Sequence, residues 1–232
     1  MILGLDQPFW LSLSYIGTAV FAATGALAAA RKQMDLLGAV GLAVVTSIGG
    51  GTLRDLLIGQ RGVFWIHEPI YIWISALTGF LVFLGQPLLQ WRRNLLLFPD
   101  AIGLALFTWI GCEKVRLLGL PNTAILIMGV FTGTAGGLIR DVVSNEVPSI
   151  FVPGELYATA SIVGAFVFLA AKQAGVTQAT SALLCITAAL AIRLAAIRWK
   201  LVLPSAHETW EAFRKRLPHL QKENHARDSK VP

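Results

Sequence analysis

The stretches GGGTLRD, residues 49–55, and AGGLIRD, residues 135–141, decide how this sequence folds. Each lies within an apolar segment, although consecutive glycines cost a helix about 1 kcal/mol each relative to alanine. Arginine and aspartate are also costly in apolar surroundings. Because the combination occurs twice, it indicates a duplicated unit in which the glycines and charges have a packing or functional role.

The composition around these stretches is that of an integral membrane protein. The chain has 232 residues, of which 55% are hydrophobic and only 14% are charged, whereas soluble domains average about 25% charged residues. A bilayer-spanning helix needs about 20 apolar residues. Seven segments approach that length: 9–30, 36–58, 70–89, 95–118, 123–143, 156–172 and 179–202. We therefore predict an all-α protein with seven transmembrane helices in one domain, residues 1–202, followed by a polar tail, residues 203–232.

The distribution of basic residues predicts the orientation. With seven spans, 13 Lys and Arg residues fall on the side that holds the C-terminal tail, and 5 fall on the other side. Short cytoplasmic loops carry the excess of Lys and Arg. We expect the N-terminus outside, the C-terminus in the cytoplasm, and a location in the inner (plasma) membrane. This arrangement accounts for the net charge of +6 without a nucleic-acid partner.

The two stretches belong to a longer internal repeat with an offset of 86 residues. Between residues 16–80 and 102–166, 14 of 65 aligned positions are identical, without a gap. Each copy contains three spans, so the second copy must enter the membrane from the opposite face. The sequence predicts inverted repeats over about 9–89 and 95–172, with a seventh helix at 179–202. Such repeats place a functional site near the bilayer midplane.

Several motifs resemble the prokaryotic branch of the trimeric intracellular cation (TRIC) channel family: GTLRDLLIGQRGVFWI after GG, DAIGLALFTWIG, GGLIRDVVSNEVP and ELYATASIVGA. The resemblance covers residues 10–202. It implies a homotrimer with a pore through each protomer that conducts mainly potassium, and second and fifth spans that are kinked at their glycines. The same family has also been described as a transporter of glycine or small solutes. An alternating-access transporter of a small zwitterion therefore remains the alternative.

The glycines allow two interpretations. Broken helices expose carbonyl oxygens that can replace an ion's hydration shell, and nearby hydroxyls could add further oxygens. Small residues four apart, such as Gly129, Gly133 and Gly137, instead favour close helix packing. We favour a kink for the consecutive glycines, because packing requires only every fourth residue. The predicted pore residues are Thr46, Ser47, Gly49, Gly50, Gly51, Thr132, Gly136 and Gly137.

The charged residues are candidates for the pore mouths. Adjacent residues point apart on a helix, so Arg54 and Arg140 would contact the bundle or lipid phosphates while Asp55 and Asp141 attract cations. Alternatively, these charges extend to the headgroups. We expect Asp100 to be the N-cap of the fourth span.

Lys114 and Arg116, late in the fourth span, are candidate gating residues, because the resemblance links a basic residue of this helix to gating. A charge that crosses the whole membrane field gains about 2.3 kcal/mol per 100 mV. The alternative is that both side chains reach the outer headgroups. The sequence has no HExxH, CxxC or GxSxG motif, so we predict no enzymatic activity and no cofactor. The expected partners are membrane lipids and monovalent cations, without a dedicated cluster of metal ligands.

Overall fold

The computed structural model describes residues 8–86, 94–152 and 156–201, and within them the chain forms eight α-helices. Their bounds are α1 Pro8–Arg31, α2 Leu36–Leu57, α3 Phe64–His67, α4 Ile70–Gly85, α5 Asn94–Leu117, α6 Asn122–Val143, α7 Tyr157–Gln173 and α8 Gln178–Trp199. Seven of these helices coincide with the predicted apolar segments. The polar tail, residues 203–232, and the end of the third predicted span, residues 87–89, lie outside the described residues.

Short turns with specific backbone geometry connect the helices. Asp35 begins α2 as an N-cap, since its carboxylate accepts a hydrogen bond of 2.7 Å from the Gly38 N–H. Gly59 and Gly119 follow the ends of α2 and α5 with φ of 68° and 70°, a left-handed conformation that favours glycine at helix ends. These signals define helix ends close to the edges of the apolar runs.

Five helices are long and apolar enough to cross a bilayer: α1, α2, α5, α6 and α8. The helices α4 and α7 are apolar but shorter, with 16 and 17 residues. The short helix α3 is absent from the sequence prediction. It lies against α2, because the Trp65 indole N–H donates to the Thr52 hydroxyl at 2.9 Å.

The largest cluster of buried apolar side chains joins α1 to α5, α7 and α8. Phe21 of α1 stacks on Phe107 of α5, with ring centroids 5.1 Å apart, and these two residues are 86 positions apart. Buried aromatic and aliphatic side chains of α5, α7 and α8, among them Trp109 and Phe168, extend this cluster. This cluster lies next to the crossing of α2 and α6, because a Cβ atom added at Gly136 would lie 3.1 Å from the Phe21 ring.

Candidate functional site: the α2–α6 crossing and its two charge clusters

The helices α2 and α6 cross with their backbones in contact. A Cβ atom added at Gly50 would lie 2.5 Å from the backbone oxygen of Thr132. The reciprocal contact joins Gly136 to the backbone oxygen of Thr46 and is equally tight. Gly136 and Thr132 lie 86 positions after Gly50 and Thr46, so each contact is the counterpart of the other under the offset of 86 residues. Small residues permit this approach because they place no side chain between the two backbones.

The consecutive glycines face different neighbours. A Cβ atom at Gly49 would lie 2.7 Å from the Ile139 side chain, and one at Gly51 would lie 2.6 Å from the Phe64 ring. In the second copy, a Cβ atom at Gly137 would meet the Tyr157 hydroxyl. Packing therefore uses adjacent glycines as well as every fourth residue, since α2 and α6 have neighbours on several sides.

The glycines do not interrupt either helix, and the kink expected at these positions stays a prediction. Both α2 and α6 are helical through their glycines, over Leu36–Leu57 and Asn122–Val143. The role of these glycines in a pore stays a prediction.

The hydroxyl groups near the crossing bond within their own helices. Thr46 Oγ1 donates to the Leu42 carbonyl at 2.6 Å, and Thr132 Oγ1 donates to the Met128 carbonyl at 2.5 Å. Ser47 Oγ donates to the Val44 carbonyl and lies 2.6 Å from Ser75 Oγ. Each bond uses the hydroxyl hydrogen and leaves lone pairs on the oxygen.

The first charge cluster lies at one end of the crossing, which we call the Lys114 end. Asp55 Oδ1 accepts a hydrogen bond of 2.9 Å from Arg54 Nε and one of 2.8 Å from Lys114 Nζ. Asp55 Oδ2 accepts a hydrogen bond of 3.0 Å from the backbone N–H of Phe64. The three charged side chains are at most 3% exposed. The cluster thus contains one buried carboxylate and two buried cations, so one positive charge is left without a carboxylate of its own.

This geometry corrects three expectations. Arg54 and Asp55 do not point apart, because the long guanidinium side chain folds back to the adjacent carboxylate. Asp55 does not face open solvent, because α3 covers it. Lys114 does not extend to the headgroups, because a buried carboxylate offers it a partner inside the bundle.

The second cluster lies at the opposite end, which we call the Lys32 end. Arg140 Nε donates to Asp141 Oδ1 at 2.9 Å, and Arg140 Nη1 donates to Asp100 Oδ1 at 2.7 Å. Asp141 Oδ2 also accepts hydrogen bonds from the backbone N–H and hydroxyl of Ser149. The Tyr157 hydroxyl donates to Asp100 Oδ1 at 3.4 Å.

Asp100 is therefore not an N-cap, as the sequence suggested. The helix α5 begins at Asn94, so Asp100 lies more than one turn inside it, where its carboxylate pairs with Arg140. Both arginines of the repeated motif are buried within the bundle.

Sequence reasoning missed Ser149, Tyr157 and Arg193 of the second cluster, and a sequence signal existed for the last two. Tyr157 and its repeat counterpart Tyr71 are both buried beside an arginine, and the guanidinium of Arg193 lies over the Tyr157 ring, 4.8 Å from its centroid. The signal for Tyr157 was its position 86 residues after Tyr71, the offset of the repeat. The signal for Arg193 was a lone cation within an apolar helix.

Arg116 does not join the first cluster. It pairs with Glu113 at 2.6 Å, and its side chain is 34% exposed. Glu113 is buried and also accepts a hydrogen bond of 2.8 Å from Gln178 Nε2. This pair connects α5 to the start of α8, which indicates a structural role near the end of the bundle.

The two ends of the crossing differ in access. A cavity of about 240 Å³ opens at the Lys32 end and reaches Arg140 and Asp141. At the Lys114 end, the cavity beside Gly51, Arg54 and Phe64 has only about 20 Å³. Asp141 lines the larger of these two cavities, and Asp55 lines neither of them.

Comparisons with known proteins connect this arrangement to a family. The family model described as Glycine transporter matches residues 11–87 and again residues 97–173, with the same offset of 86 residues. A UPF0126 membrane protein of Vibrio cholerae is 43% identical over 205 residues, which cover 87% of this chain and 84% of that protein. The UPF0126 inner membrane protein YadS of Escherichia coli K12 is 41% identical over 202 residues, 85% of this chain and 95% of that protein.

Solved structures share the fold. The TRIC trimeric intracellular cation channel orthologue from Rhodobacter sphaeroides is 37% identical with a TM-score of 0.81, over 84% of this chain and 100% of that chain. A second TRIC cation channel is 32% identical with a TM-score of 0.76, over 84% of this chain and 95% of that chain.

The matched model, the relatives and the apolar helices define the class: an all-helical, multi-pass membrane protein. Within that class, the chain belongs to the TRIC channel family. The resemblance stated from the motifs is thus confirmed.

Proposed function

We propose that this protein is a homotrimeric cation channel that conducts mainly potassium through a separate pore in each protomer. The observation that carries the proposal is the similarity to the Rhodobacter sphaeroides TRIC channel, which extends over that entire chain at 37% identity. The transporter alternative rests on the description of the family model. It is the less favoured function, because the solved structures that resemble this chain are described as channels.

We also propose the membrane arrangement. Seven helices cross the inner membrane as two inverted repeats, about 9–89 and 95–172, and a seventh helix at 179–202. Residues 1–202 form the transmembrane domain, contact lipids and leave residues 203–232 in the cytoplasm. The reciprocal contacts of Gly50 with Thr132 and of Gly136 with Thr46 support the two-fold relation. The excess of basic residues on the Lys32 side supports a cytoplasmic location for that end.

The proposed ion path follows the α2–α6 crossing from the cavity at the Lys32 end to the first charge cluster. Asp141 attracts cations into the cavity, while oxygens of Thr46, Ser47 and Thr132 line the region of the crossing. The contact between Lys114 and Asp55 closes the path at the Lys114 end. We assign no ion-conducting role to Arg116, whose carboxylate partner lies outside this cluster.

Lys114 is suited to gating because its departure leaves no unpaired carboxylate. When Lys114 moves, Asp55 retains its 2.8 Å ion pair with Arg54. Breaking a buried pair that leaves one charge alone costs about 3–5 kcal/mol, more than the 2.3 kcal/mol that 100 mV supplies to one charge across the membrane. Arg54 removes that obstacle, so the membrane field can bias the position of Lys114.

Potassium flux from liposomes tests the proposed function. Purified protein should dissipate a potassium gradient without a co-substrate, pass little anion, and show unitary currents in planar bilayers. Liposomes without protein and liposomes with valinomycin provide the lower and upper limits of flux. Saturable glycine uptake coupled to an ion gradient, with no unitary currents, would support the transporter instead.

A further inference from the structure

Two tight helix ends bring a cation and a carboxylate together at the Lys32 end. After α1, Gln33 adopts φ 55°, and after α6, Asn145 adopts φ 53°. The Glu146 N–H donates to the Asp141 carbonyl at 2.8 Å, and this hydrogen bond holds the backbone of Glu146 against the end of α6. Lys32 and Glu146 then form an ion pair between the two helix ends.

This pair lies at the mouth of the 240 Å³ cavity that reaches Arg140 and Asp141. The side chains of Lys32 and Glu146 are 35% and 54% exposed, so both remain in contact with solvent. Arg31 also lines the cavity. The hydrogen bond and the charge of Lys32 lower the pKa of Glu146.

The repeat shows that these charges are not needed to form the turns. The positions 86 residues away from Gln33 and Asn145 are Gly119, with φ 70°, and Gly59, with φ 68°. The Gln60 N–H donates to the Asp55 carbonyl at 3.0 Å, as the Glu146 N–H does to the Asp141 carbonyl.

The residues equivalent to Lys32 and Glu146 at the Lys114 end are Leu118 and Gln60, which are uncharged. The same turn geometry therefore occurs with and without an ion pair. The ion pair is specific to the end of the molecule that has the open cavity.

We propose that Glu146 raises the conductance of the cation path by making the electrostatic potential at this mouth more negative. Lys32 partly cancels this effect through its positive charge. The inference rests on the proposed channel function. A cation that enters the cavity passes Arg31 and Lys32, whose charges repel it. Glu146 offsets that repulsion, and the C-terminal ends of α1 and α6 add partial negative charge at the same place.

Unitary potassium currents in planar bilayers test this role. At about 0.1 M KCl, where the screening length is about 10 Å, Glu146→Gln should lower the conductance about twofold. At about 1 M KCl the screening length falls to about 3 Å, so the variant should conduct like the wild type. Lys32→Gln should raise the low-salt conductance by a similar factor.

Two controls separate this electrostatic effect from a structural one. Glu146→Asp keeps the charge and should keep the conductance, and the double variant with Lys32→Gln and Glu146→Gln should return close to the wild-type value. Arg198→Gln removes an exposed basic residue of α8 that does not line the cavity, so it should leave the conductance unchanged.

The outcomes are distinct. A Glu146→Gln protein that conducts like the wild type at low salt, or that loses the same fraction at both salt concentrations, would overturn the proposal. If Glu146→Gln does not assemble, Lys32→Gln carries the test, and an unchanged low-salt conductance in that variant has the same consequence. Wild-type protein without cation current would instead refute the channel function itself.

Discussion

Replacing Gly50 with alanine tests the backbone contact between α2 and α6. The added methyl group would lie 2.5 Å from the Thr132 backbone oxygen, whereas real Cβ atoms essentially never approach another atom within 3.0 Å. A backbone oxygen cannot rotate away as a side chain can, so α2 and α6 must separate. Overpacking of this kind costs about 1–3 kcal/mol of the free energy of unfolding.

Gly41→Ala is the matched control, because Gly41 lies in the same helix and an added Cβ atom would meet nothing within 4 Å. Both substitutions gain about 1 kcal/mol of helix propensity, so their difference isolates the contact. For a protein of this size, 1 kcal/mol shifts the melting temperature by about 2–4 °C. We expect Gly50→Ala to melt roughly 2–12 °C below Gly41→Ala.

Thermal unfolding of the detergent-solubilised protein, followed by tryptophan fluorescence, measures this difference. Gly136→Ala should behave like Gly50→Ala, because it makes the reciprocal contact with Thr46. A melting temperature for Gly50→Ala equal to or above that of Gly41→Ala would refute the packing argument. If Gly50→Ala keeps its stability but has a reduced unitary current, the result would instead favour a kink at the glycines that exposes carbonyl oxygens to the pore.

Three further predictions concern the charge clusters and the orientation. Asp55→Asn leaves two buried cations without a carboxylate and should lower the free energy of unfolding by about 3–5 kcal/mol. Lys114→Met should lower it less and should raise the open probability of the channel. Equal losses in melting temperature for the two variants would contradict this assignment. Arg140→Leu leaves two buried carboxylates without a cation and should destabilise the protein more than Asp100→Asn, in which Arg140 keeps its ion pair with Asp141. A lower melting temperature for Asp100→Asn than for Arg140→Leu would be inconsistent with the described pairing. A cysteine introduced into residues 203–232 should react with an impermeant reagent only after cells are permeabilised, and labelling from outside intact cells would reverse the proposed orientation.

The sequence alone predicted the helices and showed the internal offset of 86 residues. The apolar runs predicted the bounds of seven helices to within a few residues, apart from the end of the third run, because a helix that crosses a bilayer needs a minimum length of apolar chain. The motif GG-x-x-RD with its fixed offset predicted a duplicated unit, and the family model matches at the same offset. The sequence did not predict the short helix α3, because four residues are too few to show a helical pattern.

The tertiary structure decided what the motif residues do. Lys114 and Asp55 are 59 residues apart, and Asp100 and Arg140 are 40 apart, so no local pattern could pair them. Helix geometry alone suggested that Arg54 and Asp55 diverge, but burial removes water as a partner and favours the bent side chain that joins them. The neighbours of each glycine likewise exist only once all the helices are packed, because a contact between backbones depends on the crossing and leaves no periodic trace in the sequence.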